Sequence, residues 1–262
     1  MRRNVLLLAT AVLALASAAC RSGVSEDPIL KLSAEESLAQ GKEQMAKEKY
    51  GRARPYFTHA FEVEPNSAIG REGLLLAADT YYLEGGSTNF VQAEAKYRDF
   101  LNRFPTSSQA AYVQFQIANS LAKRMERPDR DQTVTRKALE AYEELIRLYP
   151  TSEYAAQAQE QIKLVKDGLA EHEYLIGRFY LRFGSPLSAS ERFQFLLANF
   201  PDYPQKEKVL YNLILSFQQS GKPEDAQKTL ERLRTEYPQS PWLAQVPEIK
   251  PAPTGKETGK GK

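Results

Sequence analysis

The sequence predicts an all-α chain of repeated helical hairpins, and three observations predict it. Alanine and proline recur twelve positions apart five times: Ala53 with Pro65, Ala93 with Pro105, Ala138 with Pro150, Ala189 with Pro201 and Ala226 with Pro238. Four residues after each alanine stands a bulky apolar side chain: Phe57, Tyr97, Tyr142, Phe193 or Leu230. Four of the prolines follow an aromatic residue (Phe104, Tyr149, Phe200, Tyr237), while Pro65 follows Glu64. The clearest copy is residues 137–152, KALEAYEELIRLYPTS, where Ala138, Tyr142, Leu145, Ile146 and Tyr149 share one apolar helical face. Pro150 cannot continue that helix, and Thr151 or Ser152 can cap the next. Such hairpins bury their apolar faces only against their neighbours, so the core grows with the length of the array.

The chain opens with an export signal. Arg2 and Arg3 precede an apolar run at residues 5–16, too short to span a bilayer but suited to the core of a signal peptide. Ser17-Ala18-Ala19 then leads into Cys20, the sole cysteine. A lone cysteine in an exported chain has no internal disulfide partner, and its place favours lipidation after cleavage, as in the bacterial lipoproteins this segment resembles. Those signals usually carry Leu where Ser17 stands; ordinary cleavage nearby, giving a soluble periplasmic protein, is the alternative. Arg21 replaces the Asp that commonly retains such lipoproteins at the inner membrane, so it points to the outer membrane. The expected organisation is a signal peptide at 1–19, a lipid-anchored tether at 20–32, repeats one to three at 33–152, a long helix with repeats four and five at 153–242, and a disordered tail at 243–262.

Charge and composition narrow the function classes. At 42% hydrophobic and 26% charged residues, the chain is too apolar to be disordered throughout. Its 35 basic residues, less Arg2 and Arg3 in the signal, leave 33 against 33 acidic ones. That balance gives no support for nucleic-acid binding, which needs a concentrated basic face. His59 and His172 lack companions at metal-ligand spacing, no Gly-x-Ser-x-Gly turn is present, and no glycine loop cradles phosphate. No catalytic residue, metal or cofactor is expected, and the carboxylates read as repeating solvent faces.

Within the array, Ser33 followed by Glu36 makes a capping box for the first helix. The details resemble the tetratricopeptide repeat, a pair of antiparallel helices, A and B, in 34 residues. With proline at position 32, the first repeat places Gly41 at position 8, Ala53 at 20, Phe57 at 24 and Ala60 at 27. The fourth matches with Gly177, Tyr180, Ala189 and Phe193, and the fifth with Phe217, Ala226 and Leu230. Small residues at positions 8 and 20 let the two helices approach, and the aromatic at 24 fills the space beside them. The expected fold is a tetratricopeptide-repeat superhelix, an α-solenoid of five repeats with one extended central helix.

Successive prolines lie 40, 45, 51 and 37 residues apart, so every repeat after the first exceeds 34. The excess reads as a loop at residues 84–88 in repeat two and at residues 126–131 in repeat three. In repeat four, residues 153–183 contain no proline, so the excess reads as a longer helix A of about 45 Å, with Gly168 as a candidate kink. The Pro-, Gly- and Lys-rich end reads as a disordered tail.

The repeat likeness also implies a functional surface, because helix A lines the groove of such arrays. Counting along helix A places Leu38, Lys42 and Met45 there from repeat one. Repeat two contributes Ile69, Glu72, Leu76 and Asp79, and repeat three Gln109, Tyr112, Gln116 and Asn119. Amides suit the backbone of an extended peptide, and Tyr112 and Leu76 suit its side chains. Packing against neighbouring helices is the competing role for each.

Residues 129–184 go beyond a generic repeat. Asp129-Arg130-Asp131 leads to Ala138, then to Leu148-Tyr149-Pro150-Thr151-Ser152-Glu153-Tyr154, then to Leu169-Ala170-Glu171-His172-Glu173-Tyr174, Tyr180 and Gly184. This order resembles the BamD family, the lipoprotein subunits of the bacterial outer-membrane β-barrel assembly machine, over roughly residues 33–240; Ser17 and the Gly85-Gly86 loop depart from it. The resemblance implies a non-enzymatic adaptor anchored through lipid on Cys20 at the periplasmic face of the outer membrane. Repeats one to three would contact C-terminal signals of unfolded outer-membrane proteins, and repeats four and five would dock on a POTRA domain of the barrel subunit BamA. Arg192 matches a polar docking position, though a pair within its own helix is an equal role. A tetratricopeptide lipoprotein scaffold for pilus, secretin or cell-wall machinery is the alternative.

Overall fold

A computed structural model describes residues 27–249. The signal segment, Cys20, residues 21–26 and residues 250–262 lie outside that range. The described residues hold ten α-helices and no strand: α1 (Ala34–Ala46), α2 (Tyr50–Val63), α3 (Ala68–Glu84), α4 (Ser87–Arg103), α5 (Ala110–Ala122), α6 (Thr133–Leu148), α7 (Glu153–Arg182), α8 (Pro186–Asn199), α9 (Lys206–Gln219) and α10 (Pro223–Glu236). They form five A–B pairs in chain order, the tetratricopeptide arrangement. All five phased alanines, Ala53, Ala93, Ala138, Ala189 and Ala226, are fully buried. Each helix B ends alike. The residue before the proline, Glu64, Phe104, Tyr149, Phe200 or Tyr237, has φ between −128° and −137° and ψ between 57° and 66°. The following proline excludes helical backbone there, which is why the spacing repeats.

The chain divides into two compact units between Ala77 and Ala78, inside α3. The 152/153 junction, expected as a boundary, separates nothing compact, because α7 packs on both α6 and α8.

In the first unit, Ser33 Oγ accepts from the Glu36 amide at 3.2 Å while Glu36 Oε2 accepts from the Ser33 amide at 2.9 Å, closing the capping box that starts α1. Leu38, Ala53, Phe57, Ala60 and Ala77 make its core. A Cβ on Gly41 would lie 2.6 Å from the Phe57 ring, so only glycine allows α1 and α2 this separation. The expected tether is ordered from Asp27 onward. Asp27 Oδ1 accepts from the Ile29 amide at 3.0 Å, Pro28–Lys31 form a 3-10 turn, and His59 Nε2 lies 3.1 Å from the Leu32 carbonyl. Asp27 and Pro28 shape the turn, and half-buried Ile29 holds it down.

In the second unit the extra length is distributed differently from expectation in repeat two. The loop shrinks to Gly85 and Gly86, at φ 74° and 86°, and the added residues lengthen helices: α3 and α4 have 17 residues each, against 13 and 14 in α1 and α2. Two residues in the left-handed region suffice for the turn, and only glycine takes them without strain. The loop of repeat three spans residues 123–132 and is tied down. Buried Gln132 donates from Nε2 to the Arg127 and Arg130 carbonyls at 2.9 and 3.1 Å, and His172 Nδ1 sits 2.6 Å from the Pro128 carbonyl. Helix α7 runs unbroken through Gly168 for 30 residues, about 45 Å. Its start packs on repeat three, with Tyr154 stacked on Phe115 at 5.3 Å and Lys166 paired with Glu143 at 3.0 Å. Its end, through Ala170 and Tyr174, joins one core with Phe193 and Leu196 of α8 and Leu210 and Ile214 of α9.

The expected tail starts later than 243. Trp242 stacks on Tyr211 at 5.0 Å, Leu243, Val246 and Ile249 pack on that same core, and Gln218 Nε2 donates to the Pro247 carbonyl at 3.1 Å. These apolar side chains cover the core of the last helical pair.

Candidate functional site

Two sets of groove candidates come out differently, one in each unit. In the first, Leu38 is 7% exposed and belongs to the core, and Met45, Ile69 and Leu76 pack against that core while half-buried. Lys42 and Glu72 are exposed and pair at 2.7 Å. At that exposure the pair contributes little to stability. It leaves two charges within reach of a polypeptide.

In the second unit the candidates are joined into a polar seam. Asp79 is buried and accepts from two hydroxyls, Tyr97 Oη at 2.6 Å and Tyr112 Oη at 2.9 Å. Gln116 Nε2 donates to Tyr112 Oη at 3.0 Å, Asn119 Nδ2 donates to Gln116 Oε1 at 2.8 Å, and Tyr142 Oη donates to Asn119 Oδ1 at 2.7 Å. Tyr112, Gln116 and Asn119 lie one turn apart along α5, which is why helical spacing strings them together. The two ends are anchored by Tyr97 and Tyr142, both buried. Burial holds the Asp79 carboxyl above its ordinary range, against the lowering effect of the Tyr97 and Tyr112 hydrogen bonds. Burial and the nearby Asp79 charge push both hydroxyls up as well, so they stay protonated as donors. Asp79 is thus withdrawn from the surface and orders the seam from beneath. Gln109 is exposed at the start of α5 and outside this chain of bonds.

Half-buried, Tyr112, Gln116 and Asn119 keep hydrogen-bonding capacity: each amide has two N–H groups and two acceptor lone pairs, more than the seam uses. A fixed row of amide groups beside an aromatic cluster, Tyr112, Tyr154 and Phe115, can meet peptide backbone and side chain together. Tyr97, Tyr142 and Tyr154 were absent from the sequence-derived candidates. The signal was present for the first two, since both are tyrosine at the position where Phe57 and Phe193 stand.

Arg192 pairs between helices, not within one: Nη1 donates to Oε2 of Glu173 on α7 at 3.1 Å. The Glu173 side chain is 7% exposed and that of Arg192 44%, so the arginine neutralises a buried carboxylate and still reaches the surface. Both histidines are held at backbone carbonyls. Among the described residues no group of three or more His, Cys, Asp or Glu gathers to hold a metal, and no helix is long and apolar enough to cross a membrane.

The YfiO family model, described as an outer membrane lipoprotein, matches residues 31–224, which include both groove sets and Arg192. The chain belongs to this family, the BamD family. One BamD relative, the outer membrane protein assembly factor BamD of Neisseria meningitidis serogroup A, is 27% identical over 251 residues, covering 92% of this chain and 94% of its own. The assembly factor of the same name from Rickettsia prowazekii is 28% identical over 244 residues, covering 93% and 96%. A putative BamD of Aquifex aeolicus is 30% identical over 184 residues, covering 69% and 59%. Among solved structures, the TPR2AB-domain:pHSP90 complex of yeast Sti1 is similar at a TM-score of 0.43 and 13% identity, over 80% of each chain.

Proposed function

We propose that this chain is an outer-membrane protein assembly factor, working as a non-enzymatic adaptor that holds unfolded outer-membrane protein segments and docks on a BamA-like β-barrel subunit. The observation that carries the reading is the match to BamD assembly factors over more than nine tenths of both chains. Lipid on Cys20 anchors it to the periplasmic face of the outer membrane. Segments of client chains lie against Lys42, Met45, Ile69, Glu72 and Leu76 in the first unit and against Gln109, Tyr112, Gln116 and Asn119 in the second. The seam supports this role because its amides are oriented before a peptide arrives, which lowers the ordering cost of binding. Arg192, half in solvent with a buried carboxylate behind it, is the contact offered to the POTRA domain.

Affinity capture of the full chain from detergent-solubilised membranes tests the reading. A β-barrel protein with POTRA domains should co-purify, and Arg192→Gln combined with Glu173→Gln, which removes the surface cation and its buried counter-charge together, should reduce its recovery with the circular dichroism unchanged. Recovery of pilus, secretin or peptidoglycan components alone would overturn it.

A further inference from the structure

Along α7 and its C-terminal cap Phe183, Val165, Leu169, His172, Ile176, Phe179 and Phe183 follow each other at intervals of four, three, four, three and four residues, so they lie on one stripe. At its start the stripe is covered: Val165 is 1% exposed and Leu169 6%. His172 and Ile176 are half-buried, and the Pro128 carbonyl of the repeat-three loop rests on His172. Beyond that loop the cover stops, and Phe179 and Phe183 are 57% and 64% exposed. The added length of α7 has carried an apolar face two turns past its partner. The rings meet each other at 4.5 Å, and the chain turns immediately afterwards at Gly184 (φ 78°) into α8, where Leu187 is 49% exposed. Three large apolar side chains therefore stand open at a helix–helix corner, a placement that asks for a partner surface.

Charge decides which surface. From Tyr174 to Ser190 there is no acidic residue, while Arg178 and Arg182 are exposed there, the latter with its guanidinium 5.7 Å from the Phe183 ring centroid. Aromatic rings beside two arginines, in a segment whose first exposed acid is Glu191 one turn beyond Leu187, match the boundary of a bilayer, where rings enter below the headgroups and guanidinium groups meet phosphate. We infer that the α7–α8 corner is a peripheral membrane contact that inserts Phe179, Phe183 and Leu187 into anionic phospholipid, with Arg178 and Arg182 at the phosphates. This goes beyond the adaptor reading; it uses the membrane location in that reading but neither client binding nor POTRA docking.

The test reads depth at the corner itself, because the N-terminal segment alone can carry the chain to vesicles. The full chain bearing Phe183→Trp is added to vesicles with roughly a third phosphatidylglycerol and brominated acyl chains. The unsubstituted chain, whose sole tryptophan is Trp242, gives the baseline, and Gln227→Trp on exposed α10 gives the control. Quenching of the Phe183→Trp chain should exceed both by roughly twofold, and should return to baseline with Arg178→Glu and Arg182→Glu or on pure phosphatidylcholine. Baseline quenching while the chain co-sediments with vesicles overturns the contact and spares the anchor; failure to co-sediment overturns both. A blue shift without vesicles that grows with protein concentration assigns the face to a second copy of the chain. An equal shift with soluble polyglutamate assigns it to an acidic polypeptide. Either result also overturns the contact.

Discussion

Repeats three and four solve the same packing problem with opposite chemistry. In repeat four, Gly177 stands where helix A meets helix B, and a Cβ there would lie 2.5 Å from the Phe193 ring. The ring is fully buried and makes no polar contact to helix A. In repeat three the equivalent helix A residue is Phe115, whose ring centroid lies 6.1 Å from that of Tyr142. Here the helix B aromatic carries a hydroxyl, and the hydroxyl reaches across to Asn119. Repeat two follows repeat three, with Tyr97 on Asp79. A glycine contact brings helices close and leaves helix A with no tie to the ring beyond van der Waals packing. A tyrosine contact spends a buried hydroxyl to fix the orientation of polar groups on the far side of helix A, where a peptide would lie. The seam and the aromatic close packing are thus alternative uses of one position.

The largest expected effect that would break this comparison is loss of the Tyr97 hydroxyl. Tyr97→Phe keeps the ring in its buried slot but removes the 2.6 Å donor to Asp79, leaving the carboxylate with Tyr112 alone. Removing one hydrogen-bond partner from a buried polar group costs about 1–3 kcal/mol, and urea unfolding should show a loss of that size. Adding a hydroxyl in repeat four by Phe193→Tyr should bring no such bond. A loss for Tyr97→Phe no larger than that of a surface substitution would mean the seam contributes orientation without stability.

Two glycines of one helix sharpen the other half of the comparison. Alanine at Gly168 meets nothing within 4 Å, so Gly168→Ala should stabilise α7 by about 0.8–1.0 kcal/mol through helix propensity. Gly177→Ala earns the same propensity but overpacks the Phe193 ring, which costs about 1–3 kcal/mol. Opposite shifts in melting temperature are expected. Equal shifts would show that α7 and α8 can separate at no cost, and the glycine would lose its explanation.

How much of this was legible beforehand depended on whether one residue or a neighbour sets the outcome. The alanines and prolines act locally: Pro105 restricts Phe104 whatever surrounds it, and Ala93 must be small wherever two helices cross. Hence the hairpin count, the long helix and the loop before Gln132 could be read directly. Gly85-Gly86 reads as the middle of a longer loop because glycine pairs avoid helix interiors, yet two residues are enough to turn the chain. Helix-face counting placed Leu38 and Asp79 on the groove, but a face at 100° per residue does not say how deep a neighbouring helix reaches. Both are covered. For Arg192 the sequence leaves open a pair within α8 and a docking contact; its partner, Glu173, stands nineteen residues earlier on α7, and only the fold brings it close.

The smallest effect probes the charge under the seam. Burial raises the Asp79 carboxyl above its unfolded value of about 3.9, so the folded chain holds that proton more tightly than the unfolded chain does. Stability from this group is therefore fully present below the unfolded value and is lost as pH rises through the folded one. Asp79→Asn keeps an oxygen for Tyr97 and Tyr112 but does not titrate. The stability of the native chain relative to Asp79→Asn should fall as pH rises from the unfolded value through the raised one, then level off. Urea unfolding of both chains at steps from pH 4 to 8 measures the difference. A flat difference would mean that the two tyrosine hydroxyls fully offset burial. A difference that rises with pH would mean they overcome it, and the seam would then be held by the ionised carboxylate even more firmly than its burial implies.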